Sequence, residues 1–206
     1  MGTDMTKVVG RRGLRGPDRS FVVDFASLRT TKVLGRRGLF AVLPLALAAG
    51  EGLAQSTWYA VRGPDRSFIV DMPGEPVYKV IDTQSPGGAR FAYHSYSLEL
   101  GQMSFVAQTA LYPADVDVRQ PRRNLQAVLD DRAQRLAGGR WTSVDWRDVL
   151  GASAVESVGS VPDGRILRQL VLLRGRRYVS LACLAPASAL RSPEAERFFG
   201  SLRFGS

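Results

Sequence analysis

An α+β fold, an antiparallel β-sheet with helices packed on it in an α/β/α sandwich, is predicted by three observations. Several runs of alternating or β-branched and aromatic residues are separated by short Gly- and Pro-containing turns. Two segments carry apolar residues at helical spacing instead. Between residues 55 and 206 no Pro-, Gly- or Ser-rich linker interrupts the series, so one domain is expected there.

The elements follow in order. "TWYAV" and "RSFIVDM" flank the turn "RGPDR" and read as an opening hairpin, with Phe68 and Val70 directed to the core. Pro73 and Pro76 then interrupt the ladder, because proline has no N–H to give it. "VYKVIDT", "ARFAYHSYSLEL" and "MSFVAQTALY" continue as a meander across the turns "QSPGG" and "GQ". "NLQAVLDDRAQRLAGG" is an amphipathic helix with Leu125, Val128, Leu129 and Leu136 on its apolar stripe, Arg132 on the flank, and Gly138-Gly139 closing it. "WTSVDWRDVL", "ASAVESVGSV", "GRILRQLVLL" and "RYVSLACLAP" are further strands, giving about eight in a single sheet. The chain closes on "SPEAERFFGSLRF", a helix with Ser192 as N-cap, Pro193 in its first turn, and Ala195, Phe198, Phe199 and Leu202 on one face.

Upstream, "KVLGRRGLFAVLPLALAAGEGLAQS" has the order of an export signal over residues 32–54. Arg36 and Arg37 form a basic start, Phe40 to Ala49 is apolar without interruption, and Gly52-Leu53-Ala54 offers small residues for cleavage between Ala54 and Gln55. The apolar run is shorter than the ~20 residues a membrane-spanning helix needs. "RRGLF" also resembles a twin-arginine export motif, and both that route and the general secretory route stay open. The protein is therefore expected to be periplasmic or secreted.

"RGPDRSFVVDF" at 15–25 is nearly repeated as "RGPDRSFIVDM" at 62–72. Residues 7–25 match 32–39 joined directly to 62–72, so the first copy lacks Phe40 to Val61. A structural repeat would duplicate a packing unit; this one duplicates a basic tag and part of a strand. Residues 1–31 accordingly read as an upstream duplication or an early start, with an extra edge strand formed by "SFVVDF" as the alternative.

Several phrases resemble small exported bacterial proteins of the Mog1/PsbP-like superfamily. The matching stretches are Met72 to Pro76, Gly151 to Ala154, Arg177 to Leu181 and Ala195 to Phe204, within a likeness spanning 68–204. Met72 stands where an aromatic is usual, and Leu202 where a phenylalanine often sits. The resemblance implies a central antiparallel sheet between helical layers, a function exercised through binding, and no catalytic residues.

The residues themselves point the same way. His94 is the only histidine and sits mid-strand beside Ala92, Tyr96 and Leu98, which suits a packed or rim position better than a catalytic base. Cys183 is the only cysteine, so no intramolecular disulfide forms, and its neighbours Val179 and Leu181 read as an inert buried face. One His and one Cys cannot build the usual zinc shell. The carboxylate pairs in "ADVDV" and "LDDR" lack the glycine and downstream Glu of a calcium loop. No metal, no cofactor and no catalytic residue is assigned.

The formal charge is +9, yet residues 1–54 hold nine Lys+Arg against four Asp+Glu, so more than half of the excess lies in the first quarter of the chain. With an export signal present, nucleic acid is not expected as a partner. Arg174, Arg176 and Arg177 cluster at a hairpin tip and are weak candidates for an anionic surface such as lipid head groups. The expected function is a non-enzymatic envelope module that binds a protein or a small apolar or anionic ligand, with peripheral membrane contact possible. Two alternatives are a hydrolase using Asp145, Asp148 and Glu156, and a structural or assembly protein at the membrane surface. A bare apolar patch would favour a protein partner, an apolar groove a ligand, and a carboxylate-lined cleft the enzyme.

Overall fold

The computed structural model describes residues 57–205. The proposed export signal, its residues Arg36, Arg37 and Ala54, and the first copy of the repeat lie outside them.

Nine strands and two helices follow one another as β1 Tyr59–Arg62, β2 Ile69–Met72, β3 Val77–Gln84, β4 Arg90–Leu100, β5 Met103–Leu111, α1 Pro121–Ala133, β6 Ser143–Val149, β7 Ala152–Ser160, β8 Ile166–Arg174, β9 Arg177–Ala185 and α2 Pro193–Gly200. Strands β3 to β9 form one sheet in the order β3-β4-β5-β9-β8-β7-β6. Every neighbouring pair in it is antiparallel. Two meanders, β3-β4-β5 and β6-β7-β8-β9, are thus zipped together along β5 and β9, with α1 crossing between them.

The α+β class expected from the sequence is the class observed. A single sheet is not, because β1 and β2 pair only with each other. The reason is local: Pro73 and Pro76 break the ladder after β2, and the hairpin folds onto one face of the large sheet instead of extending its edge. Gly63 in its turn touches Phe68 so closely that a Cβ would stand 2.7 Å from the ring. One strand-like bridge, Ile69 to Arg203, ties the hairpin to the chain end beyond α2.

Strand parity gives the sheet two contrasting faces. On one, Phe105, Leu170, Leu172, Leu181 and Cys183 meet Phe68, Val70 and Met72 of the hairpin and Ala195, Phe198 and Phe199 of α2, all within one apolar cluster. Helix α2 begins as the sequence indicates: the Ala195 N–H donates to Ser192 Oγ at 3.3 Å, Pro193 opens the first turn, and Glu194 and Glu196 complement the helix dipole. On the other face, α1 packs Leu125, Val128 and Leu129 over Val155, Val171, Leu173 and Tyr178.

Arg132 departs from its expected flanking place. It occupies the next position of the same helical stripe and is only 4% exposed. The sheet beneath explains this. Ser95, Gln108, Ser180, Gln169 and Ser157 form a buried polar row on the α1 face. The Arg132 guanidinium donates to Gln169 Oε1, to Ser180 Oγ at 3.1 Å and to the Tyr178 hydroxyl at 2.9 Å. These oxygens meet the requirement that a buried charge be hydrogen-bonded, although its Nε–H has no partner. Burial also pushes the Tyr93 and Tyr112 hydroxyls well above their usual pKa, so they stay protonated beside the Arg132 guanidinium.

Candidate binding surface: the open edge at β3

Strand β3 ends the large sheet, and seven of its eight residues are exposed. Alternation places Val77, Lys79 and Ile81 on the α1 side and Tyr78, Val80 and Asp82 on the hairpin side. Val77 is 60% exposed, Val80 50%, Tyr78 48% and Ile81 36%, so both faces of one strand present apolar surface to solvent. Neither α1 nor the hairpin reaches far enough across the sheet to cover it.

The backbone of this edge can be oriented from the adjoining turn. The Ser85 N–H donates to the Ala89 carbonyl at 2.9 Å, so residue 85 faces β4. Main-chain groups in a strand alternate in direction, which leaves the N–H and C=O of Tyr78, Val80, Asp82 and Gln84 pointing outward. An unpaired row of this kind is a ready template for another strand.

Tyr78 and its cross-strand neighbours make the hairpin side of this edge aromatic. The Tyr78 hydroxyl hydrogen-bonds His94 Nδ1 at 2.7 Å, and the two rings lie nearly parallel, 9° apart with centroids 6.0 Å distant. Tyr96 packs 5.0 Å from Tyr78 and donates its hydroxyl to the Arg62 carbonyl of the hairpin at 3.0 Å. Partial burial, with Tyr78 and Tyr59 nearby, raises the Tyr96 pKa and keeps that donor protonated. Tyr59, 45% exposed, completes the group. His94 therefore sits at the rim of an aromatic platform.

The other sequence candidates go elsewhere. Arg174 stacks on Phe204 at 4.6 Å, Arg176 donates to the Tyr112 carbonyl at 2.7 Å, and Arg177 pairs with Asp65. The Asp65 carboxyl is held below its ordinary pKa, because hydrogen bonds from Ser67 and the charge of Arg177 outweigh partial desolvation. All three arginines thus tie loops together.

Cys183 is fully buried, and desolvation pushes its thiol up to about 12. Asp145 and Glu156 are cross-strand partners on the α2 side, whereas Asp148 points to the other face. Glu156 is held by Arg147 at 2.6 Å and Arg168 at 2.7 Å, so the three carboxylates do not converge. Asp115 accepts from Ser85, Asp117 is gripped by Arg119, Asp130 accepts from Gln126, and Asp131 lies 3.6 Å from Arg135. Among the described residues no three His, Cys, Asp or Glu side chains are grouped to hold a metal, and no helix is long and apolar enough to cross a membrane.

Among the described residues a cleft runs beside α1. Its apolar part, lined by Pro86, Tyr112, Val116, Ala127 and Val128, has a volume of about 120 Å³, small against the ~300–1,000 Å³ of typical ligand sites. It adjoins a wider hollow of about 330 Å³ edged by Asp115, Asp117 and Arg123, where Asp115 and Asp117 already have partners. The β3 edge is the more substantial surface.

No family model matches this chain, and no curated protein matches it. Among solved structures it is similar to the solution structure of cyanobacterial PsbP from Synechocystis sp. PCC 6803, at 12% identity and a TM-score of 0.49. That match covers 79% of this chain and 99% of the other.

The β3 edge is not among the sites expected from the sequence. The signal was present: "VYKVIDT" carries Lys79 on one face and Asp82 on the other, and a strand charged on both faces belongs at a sheet edge. The polar row under α1 had a weaker signal, since Gln108, Gln169 and Ser180 each interrupt otherwise apolar strands.

Proposed function

We propose that this chain is an exported, non-catalytic module of the cell envelope that works by binding a protein along the β3 edge. The observation that carries the reading is the exposed apolar strand itself: Val77, Tyr78, Val80 and Ile81 stand uncovered beside outward-facing main-chain groups. Apolar side chains exposed on both faces of one edge strand favour a covering partner, and an open strand adds main-chain hydrogen bonds to that attraction. Export is supported by the order of basic, apolar and small residues over 32–54.

The test uses the full chain expressed in a bacterial host with a photo-crosslinking residue at position 80, or at position 144 on the opposite sheet edge. The reading expects a mature protein starting near Gln55 and defined crosslinked products from position 80 only. Retention of residues 1–31 in the exported protein overturns the leader assignment. Equal products from both positions overturn the docking assignment.

A further inference from the structure

We propose that the strand taken up by the β3 edge comes from a second copy of this chain, paired antiparallel about a two-fold axis centred on Val80. This rests on the reading of β3 as a docking surface and names its occupant.

The geometry of the strand narrows the choice. A two-fold axis normal to the sheet brings each residue opposite one of its own parity, because paired side chains in an antiparallel ladder share a face. Only Tyr78, Val80, Asp82 and Gln84 turn their main-chain groups outward, so the bonded pairs come from these residues. An axis at Lys79 would set two ammonium groups face to face, and an axis at Asp82 would do the same to two carboxylates; like charges directly opposite are destabilising. An axis at Ile81 would oppose Val80 with Asp82, burying an apolar side chain against a carboxylate.

An axis at Val80 sets no like charges opposite each other. Val80 meets its own copy, the Tyr78 ring, its hydroxyl held by His94, lies beside Asp82 of the second copy, and the Lys79 stem lies along Ile81. Three facing pairs then exchange about six main-chain hydrogen bonds. The two seven-stranded sheets become continuous, and the apolar side chains exposed on both faces of β3 gain neighbours. The opposite edge cannot do this as well, since β6 carries Asp145, Arg147 and Asp148 within seven residues.

The self-opposition of residue 80 supplies a specific test by sedimentation of the full chain over a concentration series. Wild-type protein is expected to dimerise reversibly. Val80→Lys and Val80→Asp, each placing like charges across the axis, are expected to weaken self-association about tenfold or more. Mixing the two variants is expected to restore a dimer containing one of each, which also shows that both fold. Circular dichroism of each variant alone should match the wild type, and so should urea unfolding at protein concentrations low enough for the wild type to be monomeric, as for an exposed site.

A wild-type monomer at every concentration overturns the proposal, and so does a dimer indifferent to both substitutions or a mixture that stays monomeric. Crosslinking of position 80 to residues 15–25 of its own chain overturns it in favour of the repeated segment as occupant. If a monomer nevertheless crosslinks from position 80 to another protein, the second-copy proposal falls while the docking reading stands. If it crosslinks to nothing, both fall.

Discussion

The two edges of the seven-stranded sheet are built from opposite materials. At β3 an exposed strand carries one Lys and one Asp among Val77, Tyr78, Val80 and Ile81, with little laid over it. At β6 three charged residues occupy a strand of seven, Arg122 of α1 lies 5.9 Å over the Trp146 ring, and Arg147 clamps Glu156 of the neighbouring strand. Arg168, 11% exposed, extends that clamp by binding Glu156 and Glu196 and stacking 4.4 Å from Phe199. Burial works against the Arg168 charge, but hydrogen bonds to Glu196 and Glu156 outweigh it and raise its pKa. Charge on an edge strand discourages pairing with another chain, because pairing would desolvate it. One edge is rich in charge and the other is left open, the asymmetry that the binding proposed above needs if the sheet is not to polymerise from both sides.

Removing that charge should give the largest change. Asp145→Val combined with Arg147→Val leaves two open edges, and a protein with two such edges grows open-ended assemblies where one edge stops at a pair. Light scattering should rise continuously with concentration. Scattering unchanged from the wild type would mean that charge is not what closes β6.

The second change is smaller and concerns stability. Glu156→Ala strips Arg168 of one carboxylate and Arg147 of its strand-to-strand partner, at an expected cost of about 1–3 kcal/mol in urea unfolding. Glu156→Gln keeps the acceptor oxygen and should cost less. The double-mutant cycle with Arg168→Met should show coupling, since the pair is largely sheltered.

The middle of the sheet should be insensitive to either edge. Cys183 lies on β9, the central strand, and its thiol is raised from 9.0 to about 12 by desolvation. The folded state therefore holds its proton longer than the unfolded chain. Stability from this group is complete below pH 9.0 and declines by about 1.4 kcal/mol per pH unit from there towards about 12. Cys183→Ala should remove that contribution, most clearly between pH 9.0 and 10.0, before the raised Tyr93 and Tyr112 hydroxyls add a decline of their own, and thiol alkylation at pH 8 should be slow in the wild type and in every edge variant alike. Rapid alkylation in an edge variant would show that the edges and the centre open together.

Much of the architecture was legible because it is written locally. The hairpin around Gly63-Pro64, the cap at Ser192 and the apolar faces of both helices each depend on residues within a few positions of one another. Phe68 and Val70 were placed correctly for the same reason, since alternation assigns faces without knowing neighbours. Arg132 was misjudged because an arginine at a stripe position looks like an interruption until the polar row of strands distant in sequence is seen beneath it. The arginines at the β8-β9 turn looked free for the same cause: their partners, Phe204, Tyr112 and Asp65, come from three separate parts of the chain.

By itself, then, the sequence determined which segments become strands and helices and, apart from Arg132, which side of each turns inward. Only the tertiary structure decided that β9 pairs with β5, that the hairpin lies on the sheet and not in it, and that β3 is consequently left without a neighbour. The physical reason is one of range. Side-chain alternation and capping act over a few residues, whereas strand order depends on which faces find cover across the whole chain, and that choice leaves Val80 beside open solvent.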